Sequence, residues 1–179
     1  MYSMTVKTGR NSIDKIITYK ITRNHNPITV RICSCDREIR GFQKGTFNDC
    51  AVLAIMRAEG MSYDDAYDLL VNKGKETKRI MNTYEVVSGV LTDLGYKENK
   101  LIEDGLPLYW AIESFELYKT GKEVIVFEDG HCFLMRNGII YDATAKLSED
   151  NGLSSSMIIS DFVNPYLKVT EIWCKDDIV

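Results

Sequence analysis

Several things are scarce in this chain, and each scarcity closes a class of explanation. Among 179 residues only His25 and His131 are histidines, so a histidine base would have to be one of two side chains. No run approaches the ~20 apolar residues of a membrane span, and the first residues lack the apolar core of a secretory signal. A soluble, cytoplasmic protein is the expectation. The five cysteines, Cys33, Cys35, Cys50, Cys132 and Cys174, are an odd number and do not resemble the dense framework of a small secreted domain, which fits a reducing compartment. Cys33-Ser34-Cys35 lacks the second C-x-x-C or His pair that would close a four-ligand set, so neither metal nor other cofactor is expected. Internal repeats and low-complexity tracts are absent as well.

What remains is ordinary globular material, 45% hydrophobic and 27% charged, long enough for one domain with a sizeable core. The net charge of −4 is unevenly spread: residues 1–45 hold nine basic and three acidic residues, a balance of +6, which leaves −10 for the rest. Such a split can mark a nucleic-acid face or an acidic partner. No Arg/aromatic recognition motif accompanies it, so a solvated hairpin against an acidic body is the preferred reading, and nucleic acid is not the expected partner.

Residues 13–22 and 28–35 are rich in Ile, Thr, Val and Tyr and flank Asn24-His25-Asn26-Pro27, which predicts a hairpin or two edge strands. We take 1–45 as a basic β-hairpin extension and 46–179 as the main domain. His25 falls in the turn, where a histidine is usually a polar loop residue. Thr46-Phe47-Asn48-Asp49 leads into the helical run Cys50–Ala58, which stops at Gly60, and Asp or Asn before such a run is a natural cap. Ser62 starts a second helix with Ala66, Leu69 and Leu70 on one stripe and Gly74 as its stop. Thr83 caps a third, Tyr84 to Leu94, and Pro107 opens a fourth running to about Tyr118.

After Gly121 the period changes from helical to alternating. Residues 123–128, 131–135 and 139–142 read as strands, Asn137-Gly138 is the strongest hairpin signal in the chain, and 167–173 supplies a last strand. Helices followed by an antiparallel sheet make an α+β domain.

Three residues in this layout belong to nucleophilic chemistry. A thiol attacks as thiolate, and Cys50 lies in a first helical turn, where exposed amides and the helix dipole favour negative charge. Its backbone N–H can face an oxyanion, with Gln43 or Asn48 as side-chain donors. If Asn137-Gly138 is a two-residue turn, Arg136 pairs with Ile139, Phe133 with Asp142 and His131 with Thr144, so Asp142 becomes the diagonal neighbour of His131 on one face. A three-residue turn would put Asp142 on the opposite face. Cys132, alternating with His131, reads as packing, and Asp49 and Asp129 as solvated caps.

The order of Asn48-Asp49-Cys50, Ala51 to Ala58, Ser62-Tyr63, Leu94-Gly95, Gly130-His131 and Tyr141-Asp142 resembles the papain-like cysteine peptidase superfamily. The likeness is to small Asn-Asp-Cys…Gly-His…Asp proteins of bacteriophages and mobile elements. It covers roughly residues 46–145 and is more distant to the bacteriocin-leader peptidase domains of exporters, whose nucleophile follows an upstream Gln. Leu53 stands where related chains often have Arg, and residues 78–83 replace a Gly-Arg-Gly-Thr-like loop. The resemblance implies a papain-like fold, with the nucleophile helix among N-terminal helices packed on the C-terminal sheet. It also implies a thiol hydrolase with a Cys50-His131-Asp142 triad acting on a peptide, isopeptide or other amide bond of a protein substrate, conceivably a host protein if the chain is phage-encoded. Transfer and deamidation use the same triad. The alternative is a non-catalytic phage protein that uses this scaffold to bind and inhibit a host protein.

Overall fold

The computed structural model describes residues 2–6, 16–23, 26–33, 49–99, 105–128, 130–142 and 168–176, the first three segments as backbone strands. The expectations placed on His25, Cys35, Gln43, Asn48, Asp129 and Thr144 lie outside the described residues.

Helices fill the first half of the well-packed region: α1 Cys50–Glu59, α2 Tyr63–Thr77, α3 Tyr84–Asp93 and α4 Leu108–Ser114. The strands are β1 Tyr2–Val6, β2 Ile16–Arg23, β3 Asn26–Cys33, β4 Lys97–Asn99, β5 Leu106–Pro107, β6 Glu123–Glu128, β7 His131–Arg136, β8 Ile139–Tyr141 and β9 Lys168–Cys174. They form one open sheet in the order β1-β2-β3-β8-β7-β6-β9-β4, with β5 also on β9. All pairings are antiparallel except β3 with β8, and helices plus this sheet make an α+β fold. The basic N-terminal hairpin continues the sheet, since Arg31, Ile32 and Cys33 pair with Ile139, Ile140 and Tyr141.

Strand alternation sorts the core into two layers. Val124, Val126, Phe133, Met135 and Ile140 face α4 with Ala111, Ile112 and Leu117. Ile125, Phe127, Cys132, Leu134 and Trp173 face the α1–α3 layer. Helix α1 lies deepest, with six consecutive buried residues from Ala51 to Met56; a helix buried on most of its circumference carries apolar side chains all round. Its far end is held by polar contacts. Arg136 on β7 donates to the carbonyls of Arg57 at 3.2 Å and Ala58 at 3.0 Å and pairs with Glu123. Glu59 accepts from Tyr96 at 2.6 Å and Lys175 at 2.9 Å.

One cap and two helix ends differ from expectation. Asp49 sits at the α1 N-cap position but makes no side-chain cap bond; it is 1% exposed rather than solvated, and it accepts a hydrogen bond from the Tyr63 hydroxyl at 3.4 Å. Helix α2 runs through Gly74 to Thr77 and ends at left-handed Lys78. Gly74 marks a close approach instead: the chain folds back there, and a Cβ would stand 2.8 Å from the Arg79 carbonyl. Helix α4 ends at Ser114, because Phe115 and left-handed Glu116 turn the chain so that Leu117 is buried.

The expected start of α2 holds. Ser62 accepts from the Asp65 amide at 3.1 Å, the N-cap bond, and its hydroxyl donates to the Asp65 carboxylate at 2.6 Å. Leu69, expected on the buried stripe, is 37% exposed, whereas Ala66 and Leu70 are fully buried.

Candidate active site

The Asn137-Gly138 turn is the local event that builds the site. Both residues have positive φ, 53° and 72°, the signature of a two-residue type I′ turn whose twist matches that of the flanking strands. The Asn137 side-chain oxygen accepts from the Gly121 backbone N–H at 2.7 Å, and the Asn137 backbone N–H donates to the Lys122 carbonyl at 2.9 Å. The resulting register pairs Arg136 with Ile139, Met135 with Ile140 and Leu134 with Tyr141, as expected for two turn residues. The ladder ends at Leu134–Tyr141, so the expected Phe133–Asp142 pair is not among its pairs; Asp142 follows β8 directly and its side chain reaches His131.

The second turn brings His131 to the first position of β7. Glu128 pairs directly with His131, and Gly130, with φ 72°, occupies the tight connection. Beside this turn the β6–β9 ladder slips between Phe127 and Glu128, an irregularity of the kind that re-aims side chains at sheet ends.

At this end of the sheet three side chains converge. His131 Nε2 lies 3.0 Å from Asp142 Oδ2, and the carboxylate is only 6% exposed. A carboxylate accepts only, so Nε2 carries the proton and Nδ1 is left for the other partner. Cys50 is the neighbour that acts on the imidazole besides Asp142, through hydrogen bonding and charge that favour the ion pair. The Phe133 ring packs 6.1 Å from the imidazole, between centroids, and limits its tilt.

A second neighbour of the Cys50 sulfur was not expected. Cys132 lies on the α1 side of β7, and its Sγ is 3.9 Å from Cys50 Sγ, in position to donate a weak S–H hydrogen bond. Alternation does put Cys132 on the opposite side of the strand from His131. That same side is the one covered by α1, where Cys132 packs in the core as expected, 4% exposed, and touches Cys50 as well. The clue available beforehand was its equivalence with Leu134 in alternation, which put it on the face covered by α1. His131 meets the same sulfur at the end of the sheet, where the strand begins.

The electrostatics follow from these contacts. The Cys132 hydrogen bond is the largest influence lowering the Cys50 pKa; burial opposes it, and the hydrogen bond and charge of His131 reinforce it, for a net value of about 4. The first-turn amides of α1 act in the same direction. For His131, burial disfavours the cation, yet the hydrogen bonds to Asp142 and Cys50 and their charges outweigh it, raising the pKa to about 10. The hydrogen bond to Cys50 and complete burial push Cys132 far above the ordinary thiol range. At neutral pH the site is a Cys50 thiolate against a His131 imidazolium, with Cys132 a neutral thiol.

Of the five expected site residues, Cys50, His131 and Asp142 come together, while Gln43 and Asn48 lie outside the described residues. The Cys50 backbone N–H, at the first position of α1, is the oxyanion donor that the described geometry offers. Among the described residues no group of three His, Cys, Asp or Glu could hold a metal ion, and no helix is long and apolar enough to cross a membrane. The chain matches no protein-family model, no curated protein and no solved structure.

Proposed function

We propose that this chain is a papain-like thiol hydrolase that cleaves a peptide, isopeptide or other amide bond of a protein substrate. The observation that carries the reading is the chain of contacts Cys50–His131–Asp142, in which a thiolate, its proton donor and the group that orients that donor are preassembled. Cys50 attacks the carbonyl carbon, and the developing oxyanion meets the Cys50 amide. His131 then protonates the leaving amine, and in its neutral form draws a proton from water for hydrolysis of the thioester. Asp142 holds the tautomer throughout.

A phage or mobile-element origin, a cytoplasmic setting and a host protein as target come from the motif resemblance. Binding without catalysis is the weaker reading, because a purely sequestering scaffold has no use for a thiolate–imidazolium pair held by a buried carboxylate.

Two measurements test the proposal. Iodoacetamide should alkylate Cys50 in the native protein well ahead of Cys132 and Cys174, and His131→Ala should slow that reaction. A mixed peptide library, followed by mass spectrometry, should show cleavage products that vanish with Cys50→Ala. Alkylation of Cys50 no faster than of Cys174 and indifferent to His131→Ala would end the enzymatic reading.

A further inference from the structure

We propose that Cys132 is the resolving thiol of a reversible oxidation site, in which a hydroperoxide converts Cys50 and Cys132 into a disulfide that withdraws the nucleophile until a thiol reductant restores it. The proposal stands on the position of Cys132. A thiol on β7 touches the Cys50 sulfur at 3.9 Å, and closing a bond of about 2.05 Å asks for a convergence of only about 2 Å. The third described thiol, Cys174, is buried in the cluster on the opposite face of the sheet, against α4. The sheet therefore separates Cys174 from Cys50. The inference needs the thiolate but not its hydrolytic use, so it stands apart from the function proposed above.

Two steps balance the chemistry. The Cys50 thiolate attacks the terminal oxygen of a hydroperoxide; the O–O bond breaks, the alkoxide or hydroxide leaves with the electron pair and takes a proton from the His131 imidazolium, and Cys50 becomes a sulfenic acid. The Cys132 sulfur then attacks the Cys50 sulfur. The S–S bond forms, the S–O bond breaks, and hydroxide departs as water with the Cys132 proton. Two thiols have lost two electrons, and the peroxide has been reduced to an alcohol, or to water from hydrogen peroxide, together with that second water. A dithiol reverses the change by attacking the partly exposed Cys50 sulfur, expelling Cys132, and then closing its own ring to release the Cys50 thiolate.

The arrangement separates attacking and resolving roles. Cys50 is partly exposed and ionised, whereas Cys132, 4% exposed and bonded to Cys50, is shielded from the oxidant. Without a resolving thiol, a sulfenic acid at Cys50 would proceed to sulfinic and sulfonic acids, which dithiols do not reverse.

The test treats the full, pre-reduced protein with a several-fold molar excess of hydrogen peroxide, alkylates the remaining thiols under denaturing conditions, and maps peptides by mass spectrometry. The expected product is a linked Cys50–Cys132 peptide pair, with dithiothreitol returning Cys50 to full native alkylation. Cys132→Ala and Cys132→Ser, the second preserving a buried hydrogen-bond donor, should instead accumulate sulfinic acid at Cys50 that dithiothreitol does not reverse. Circular dichroism establishes that the variant used is folded. Overoxidised Cys50 with Cys132 still reduced in the wild type, or Cys50 linked to another cysteine, would overturn the proposal. Neither readout involves a substrate, so failure of hydrolysis and failure of this switch are separately visible.

Discussion

His131 Nε2 donates to Asp142 Oδ2 at 3.0 Å, joining the first residue of β7 to the residue that follows β8. The bond links the two arms of one hairpin, so the precision of the site depends on a turn more than ten ångströms of strand away. With Nε2 committed to the carboxylate, Nδ1 is the ring nitrogen left for another partner, and the imidazole cannot turn without losing the Asp142 bond.

Asp142→Asn is therefore expected to keep the fold and to weaken the imidazolium. Hydrolysis, measured as kcat/KM on a library-derived peptide, should fall by on the order of 10²–10⁴-fold. Alkylation of Cys50 at pH 6 should slow in parallel, because a less basic His131 supports less thiolate. An unaltered alkylation rate would show that Asp142 does not tune the pair.

The pH profile should be broad. Cys50 titrates at about 4 and His131 at about 10, and the competent form requires the first ionised and the second protonated. Activity should rise with pH through the lower value, stay level across neutrality and fall through the upper one. In His131→Ala the lower limb of the Cys50 alkylation profile should move upward, towards the ordinary thiol range. A wild-type profile that rises only near pH 8 to 9 would mean that Cys50 rests as a thiol.

Gly138→Ala tests the hairpin. Gly138 has φ 72°, and a Cβ there would lie 2.7 Å from the Tyr118 carbonyl, so the substitution combines left-handed strain with a backbone clash. A loss of roughly 1–3 kcal/mol in unfolding free energy by urea titration is expected. Where the protein still folds, catalysis should suffer beyond the stability loss, because the hairpin brings Asp142 to His131. Unchanged stability would contradict the close approach to Tyr118.

Arg136→Ala removes donors to the last carbonyls of α1 and the partner of Glu123. Charge-assisted bonds to helix-end carbonyls are worth more than neutral ones, and a loss of about 1–3 kcal/mol is expected in the same titration. Arg136→Lys, with a point charge in place of a planar fork, should recover only part of it. Full recovery by Lys would assign the effect to charge and not to the two-carbonyl geometry.

Much of this arrangement could be read from local sequence, and the reasons are local. The run Cys50–Ala58 before Gly60, the Ser62 cap and the change of period after Gly121 depend on interactions within a few residues. So does Asn137-Gly138, whose positive φ values are intrinsic to those residue types and carry the register with them. Boundaries were legible only where local chemistry ends an element. Gly74 resembles a stop, but α2 passes through it because the returning chain at Arg79 needs the space of a missing Cβ. The short β4 and β5 have no alternation to show, and exist as strands because β9 offers them its edge.

The sequence by itself determined the α+β order, the helix start that carries Cys50, and the Asn137-Gly138 turn that joins the strand of His131 to the one Asp142 follows. Only the tertiary structure decided that these strand ends meet that helix start, that the N-terminal hairpin joins the sheet in parallel with β8, and that Cys132 touches the Cys50 sulfur. Turn and helix signals act over a few residues, whereas the Cys50–Cys132 contact spans 82 positions. Contacts at that range arise when α1 buries its apolar surface on the sheet, and the depth and angle of that packing belong to the assembled core.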